Sequence, residues 1–178
     1  MAWAGDQLWF VNTAFSCLGT RFEGNSIDPR WRPSFVKDLG PGDKCHLNSL
    51  ALRDDRVRYV TALGETDTVG GWRENKRDGG LLMDVENQET IIRRLSMPHS
   101  PRWYPDKLWI LESGNGGFGT IDLNTGKYHE IIQLPGFTRG LSFLGPLAFA
   151  GLSQVRESAV FSGIPLVGRL QERTCGVR

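Results

Sequence analysis

The feature that most constrains this chain is a repeated unit of two short apolar strands joined by a tight turn and followed by a hairpin. His46-Leu-Asn-Ser-Leu-Ala-Leu52 passes through Arg53-Asp-Asp-Arg56 into Val57–Leu63. His99–Tyr104 passes Pro105-Asp106 into Lys107–Ser113, and a weaker copy runs from Thr138–Phe143 through Leu144–Pro146 into Leu147–Ser153. Gln7–Thr13 matches the second strand of a copy whose first strand is missing. Two hairpins complete the units. Gly80–Val85 turns at Glu86-Asn87-Gln88 into Thr90–Leu95, and Gly119–Leu123 turns at Asn124-Thr125-Gly126 into Tyr128–Leu134. Glycine takes the positive φ that such a turn needs. No long segment carries a 3.6-residue apolar period, so nothing competes for a helix.

The spacing names the array. His99 to Thr138 and Leu108 to Leu147 are each 39 residues; His46 to His99 is 53, the surplus falling in the loop 64–79. Four-stranded units of about 40–45 residues are β-propeller blades. The expected fold is therefore all-β, a β-propeller-type array of four-stranded blades, incomplete, with about three to three and a half blades. Its parts are a partial blade at 1–40, blades at 44–95 and 97–134, and a partial blade at 137–178 whose outer strand starts near Thr174–Arg178. Starting and stopping inside blades reads as a fragment, with open blade edges available for self-association.

Composition narrows the partners. The 178 residues carry 21 Lys+Arg against 20 Asp+Glu, a net charge of +1, which argues against a nucleic-acid surface. No apolar run reaches a membrane span, and the opening MAWAGDQLWF lacks the pattern of a secretory signal, so the expected location is cytoplasmic. Cys17, Cys45 and Cys175 form no CxxC pair and no disulfide framework. Cys17 and Cys45 read as small buried hydrophobes.

Inner strands of a propeller line a central channel, and the template sets polar residues at their starts: His46, Asn48, His99, Ser100, Arg102 and Arg139. Asn12, Thr61, Glu112, Ser113 and Ser153 lie at the ends of second strands. The two histidines are expected at one blade position. Together the set forms a channel-mouth pocket for a small polar or anionic ligand; singly, each residue suits a capping role at a blade edge. A divalent metal, zinc on His46, His99 and Glu112 or calcium on Glu112, Asn12 and Asn48, is the candidate cofactor. No GxSxG element supports a hydrolase triad. Gly114–Gly119 fits GxGxxG, but the following Thr120–Leu123 reads as a strand, so the glycines make a tight connection rather than a dinucleotide site. The loop 64–79 suits a lid or an interaction surface, with Trp72 packing back on the disc. Trp9, Trp103 and Trp109 belong between blades, while Trp31, flanked by Arg30 and Arg32, could stack on a base or sugar.

Residues 8–18, 31–35, 45–52, 59–64, 70–73, 95–103, 108–114 and 134–143 together resemble an uncharacterised bacterial family of conserved hypothetical proteins, a domain of unknown function with propeller-like repeats. The stretch 155–173 departs from its pattern. The resemblance implies a propeller fold and a longer parent protein, and carries over no catalytic residue. By fold analogy alone, the enzymatic reading is metal-assisted hydrolysis of a lactone or ester. The alternative is a non-enzymatic scaffold for a protein partner.

Overall fold

The computed structural model describes residues 1–24, 26–155, 162–170 and 175–178. Fifteen strands form four antiparallel sheets among them. The first sheet holds β1 (Ala2–Ala4), β2 (Gln7–Asn12), β3 (Cys17–Thr20) and β4 (Asp28–Trp31); the second, β5 (Leu47–Arg53), β6 (Arg56–Ala62), β7 (Gly80–Asp84) and β8 (Glu89–Leu95). The third holds β9 (Pro98–Trp103), β10 (Leu108–Glu112), β11 (Gly117–Asp122) and β12 (Lys127–Gln133). The fourth holds β13 (Phe137–Leu144), β14 (Leu147–Ser153) and β15 (Gly176–Val177). Strands pair in chain order within each sheet, and β9 packs against β5 on one side and β13 on the other. The result is an unclosed, propeller-like array of blades.

One expectation is corrected at the start. The first strand of the first sheet is present, because Ala2, Trp3 and Ala4 pair with Trp9, Leu8 and Gln7 across a turn at Gly5, φ 58°. Three residues give too short an alternation to stand out in the sequence. Residues 156–161 and 171–174, within the span assigned to the last partial blade, lie outside the described residues; beyond them Gly176 and Val177 pair with Leu152 and Gly151.

The registers align the blades residue by residue. Trp9, Tyr59, Trp109 and Phe149 stand opposite Ala2, Ala51, Arg102 and Ser142, so they occupy one position on the second strands. Trp3, Leu52, Trp103 and Phe143, opposite Leu8, Val57, Leu108 and Ala148, occupy one position on the inner strands. Each second-strand aromatic meets the inner-strand residue of the following blade. Trp9 and Leu52 share an apolar cluster around Leu18, Leu50 and Val60. The Tyr59 and Trp103 rings lie 6.2 Å apart, and those of Trp109 and Phe143 5.4 Å apart. Trp9, Trp103 and Trp109 thus pack between blades, as the sequence indicated.

Turns and loops follow local chemistry. Asp84 Oδ1 accepts from the backbone N–H groups of Glu86 and Asn87, and Asp122 Oδ1 does the same for Asn124 and Thr125. Residues 113–116 form the turn between β10 and β11 with no helix, and Gly116 has φ 71°. A Cβ at Gly114 would lie 2.0 Å from Ser96 Oγ. These glycines close a tight connection and offer no helix N-terminus to a pyrophosphate. Trp31, partly buried, packs against the cluster between the first two blades.

Ile110 is fully buried between the second and third blades. Ile110→Ala should lower the unfolding free energy by roughly 2–5 kcal/mol through the lost methyl groups and the residual cavity. Urea denaturation of wild type and variant checks this.

Candidate functional site

Short hydrogen bonds from side chain to backbone join each blade to the inner strand of the next. Thr13 Oγ1 donates to Leu47 O (2.8 Å), and Ser113 Oγ donates to Thr138 O (2.6 Å). Leu63 holds the equivalent position in the second blade and has no hydroxyl. Asn48 supplies the donor there instead, from Nδ2 to Pro98 O at 3.0 Å, while its Oδ1 accepts from Thr61 Oγ1 at 2.6 Å. The accepting carbonyls of Leu47, Pro98 and Thr138 belong to equivalent residues, so Asn48, His99 and Arg139, one step further on, share one place on three blades.

This corrects the pairing of the histidines. The equivalent of His99 is Asn48, 51 residues earlier, and Arg139, 40 residues later. His46 corresponds to Met97: each precedes its strand with a left-handed backbone, φ 50° and 47°. The 53-residue spacing matched residue types across a loop insertion, whereas hydrogen-bond register sets the true alignment.

Arg139 and His99 form the centre of the site. Arg139 Nη2 donates to His99 Nε2 at 3.2 Å, and His99 Nδ1 lies 2.8 Å from Met97 O and 2.9 Å from Ser113 Oγ. A carbonyl can only accept, so Nδ1 carries the proton and Nε2 offers its lone pair to the guanidinium. The ring is buried, edge-on to Phe137 at 5.6 Å. Burial first, and the Arg139 charge second, push its pKa down from 6.5 to about 3. His99 is therefore neutral at physiological pH.

Ser100 continues the link between blades. Its N–H donates to Ser49 Oγ (3.1 Å) and its Oγ accepts from Gly140 N (3.0 Å). Its φ of 53° and the 72° of Gly140 mark the bulge that both inner strands carry beside the site. Arg102 lies further along β9, half-buried, with Nη1 on Pro101 O at 2.8 Å. Burial lowers its pKa, and burial together with the Arg102 charge lowers that of the Met1 amine. Among the described residues neither Arg102 nor Arg139 makes an ion pair.

His46 sits in a second cluster at the same end of the strands. Its Nδ1 is 2.9 Å from both Asp43 carboxylate oxygens, and its ring packs on Trp72 at 4.4 Å. Trp72 Nε1 donates to Asp43 Oδ2 (3.0 Å), and the Arg73 guanidinium lies 3.5 Å from the same oxygen and over the Trp72 ring at 4.4 Å. Trp72 is 3% exposed in a 3-10 turn over Gly71–Asn75, so the loop 64–79 is folded back on the blades. Lys44, also buried, ties this loop to the segment before β5 through Asp67 (2.7 Å) and Asp38 (2.9 Å). Asp43 was missed in the sequence, although an Asp three residues before a His is a legible ion-pair signal.

Two further candidates serve the fold. Glu112, buried, accepts from Ser96 N (2.8 Å) and Asn115 Nδ2 (2.7 Å) and holds the turn after β10. Asn12 Oδ1 caps the turn after β2 by accepting from Phe15 N. No three His, Cys, Asp or Glu side chains among the described residues come together as metal ligands. His46 is turned to Asp43, His99 to Arg139 and Ser113, and Glu112 to backbone and amide donors; the calcium set of Glu112, Asn12 and Asn48 is equally dispersed among such partners. Burial raises the Cys45 thiol to about 11, which keeps it protonated and without nucleophilic use.

A depressed histidine pKa makes stability depend on pH. The unfolded chain binds a proton at this histidine near pH 6.5 and the native chain not until about 3, so stability falls progressively as pH drops through that window. Between pH 7 and 5 the wild type should lose about 2 kcal/mol more stability than His99→Asn, which installs the residue found at the equivalent Asn48. Urea denaturation at both pH values measures the difference.

No helix among the described residues is long and apolar enough to cross a membrane. Neither the curated proteins nor the solved structures contain a match to this chain. One family model does match, over residues 1–178, and the chain accordingly belongs to the domain of unknown function family DUF4915.

Proposed function

We propose that the chain binds a small anionic ligand, a carboxylate or a phosphate, where the inner strands meet at Arg139, His99 and Asn48. The observation that carries this reading is the exposed Arg139 guanidinium resting on a histidine held neutral. It has five N–H donors, and among the described residues its one side-chain hydrogen bond is to the lone pair of His99 Nε2, with the Phe137 ring centroid 5.7 Å from the guanidinium carbon. A guanidinium used only to brace a fold is ordinarily met by a carboxylate, as Arg93 meets Glu65 and Arg58 meets Asp84 here.

The neutral histidine contributes direction without charge. By accepting one donor it fixes the plane of the guanidinium, and a planar fork presents two parallel donors to an oxyanion. Arg102, without an ion pair among the described residues, adds positive charge. His46, its Nδ1 committed to Asp43, keeps Nε2 for a polar group of the ligand.

The test is a titration with inorganic phosphate and with malonate, followed by calorimetry and by the thermal melt. Either anion should raise Tm, and Arg139→Met should weaken binding by at least about tenfold, the loss of a charge-assisted hydrogen-bond pair. Arg30→Met, at an exposed pair with Asp28, should bind as wild type does. Equal binding by wild type and Arg139→Met, or none by either, overturns the proposal.

A further inference from the structure

The Asp43–His46 pair fixes a hydrogen-bond acceptor that the described residues leave unused. His46 Nδ1 is 2.9 Å from each Asp43 oxygen. A carboxylate only accepts, so Nδ1 carries the proton, and Nε2 of the neutral ring presents a lone pair. Asp43 is itself held in place: Trp72 Nε1 donates to its Oδ2 at 3.0 Å, and the Arg73 guanidinium lies 3.5 Å from the same oxygen. The imidazole rests on the Trp72 ring, with centroids 4.4 Å apart. Among the described residues the hydrogen bonds of this side chain are those of Nδ1, and the side chain is 23% exposed.

This acceptor stands beside the anion site. Trp72, against the His46 ring, belongs to the apolar cluster that holds Met97 and Phe137. Those two flank His99: Met97 O accepts from its Nδ1 at 2.8 Å, and the Phe137 ring meets its edge at 5.6 Å. The Arg139 guanidinium carbon is 5.7 Å from the same Phe137 centroid. His46 is close enough to His99 for its charge to be felt there. The two polar groups are of opposite kind, since a guanidinium offers only donors and the His46 Nε2 lone pair only accepts.

We infer that the site selects an oxyanion that also carries an O–H group, its anionic oxygens on Arg139 and its hydroxyl donating to His46 Nε2. A hydroxycarboxylate and a hydrogen phosphate share that chemistry, and an oxyanion with no proton to donate binds more weakly. Against such an ion the His46 lone pair meets only oxygen lone pairs and stays unpaired, the costly case for an acceptor removed from water. Asp43 is the positioning residue, because accepting from Nδ1 decides which ring nitrogen keeps the lone pair. The inference rests on the anion-site reading and adds to it the tautomer of His46.

Calorimetric titration of the whole chain at pH 8.5, where imidazole is ordinarily neutral, tests it with two matched pairs: inorganic phosphate against sulfate, and hydroxymalonate against malonate. At that pH hydrogen phosphate keeps one proton and sulfate none. The O–H member of at least one pair should bind at least about tenfold tighter than its partner, and the pair that shows the preference tells phosphate from hydroxycarboxylate. Asp43→Asn lets an amide N–H donate to Nδ1, moves the ring proton to Nε2, and should abolish or reverse the preference. His46→Asn, a residue at ease in the left-handed backbone there, should abolish it while both members still bind. Thermal melts show that each variant is folded. Equal binding within both pairs, or a preference that survives in folded Asp43→Asn or His46→Asn, overturns the inference, and the anion site stands if Arg139→Met still weakens both members. Binding of none of the four anions by the wild type overturns both readings.

Discussion

Each sheet in this protein has two apolar faces, and only a neighbouring sheet can cover them. That constraint sets the architecture. A large aromatic on the second strand of one blade is pressed onto an inner-strand side chain of the next, and the step repeats through Trp9, Tyr59 and Trp109. Because the same two positions are used every time, the blades stack at a constant offset, and their inner strands come side by side. Burial supplies most of the driving force, while the repeat supplies the regularity.

The polar site is a by-product of that regularity. When inner strands lie side by side, equivalent residues fall next to each other, and a side chain from one blade reaches a backbone carbonyl of the next. Thr13, Asn48 and Ser113 all do this, by different chemical groups at slightly different positions. The carbonyl must be satisfied once water is excluded, so each blade provides a donor. Where Leu63 removes the hydroxyl, the amide of Asn48 takes over. His99 and Arg139 then occupy the next step, and burial of one holds it neutral beneath the charge of the other. The site differs in chemical character from blade to blade while its geometry stays the same.

Much of the fold was legible. The alternation of apolar residues, the Asn-Thr-Gly turn and the spacing of strand pairs all pointed to four-stranded units, because each is a local signal carried by consecutive residues. The short β1 was not legible, since three residues carry no periodicity. The candidate site was read more coarsely. Asn48, His99, Ser100 and Arg139 were read at the starts of inner strands, and the structure brings them side by side. Glu112 and Asn12 were grouped with them by position along the strand, yet their oxygens are spent on capping nearby backbone and amide groups. The pairing of His46 with His99 followed residue type, and the bulge and loop insertion between them moved the alignment by two residues.

The sequence by itself determined the all-β class, the repeat and the composition of the interfaces, because strand propensity, alternation and turn chemistry act over a few residues. Only the tertiary structure decided which polar residues meet. His99 gains its neutral state from burial against Phe137 and from the Arg139 charge, 40 residues away in the chain. His46 has Asp43 three residues away, but gains the Trp72 ring only from the folded-back loop. Such contacts depend on hydrogen-bond register between separate sheets, and register is fixed by packing across the whole array rather than by any one segment.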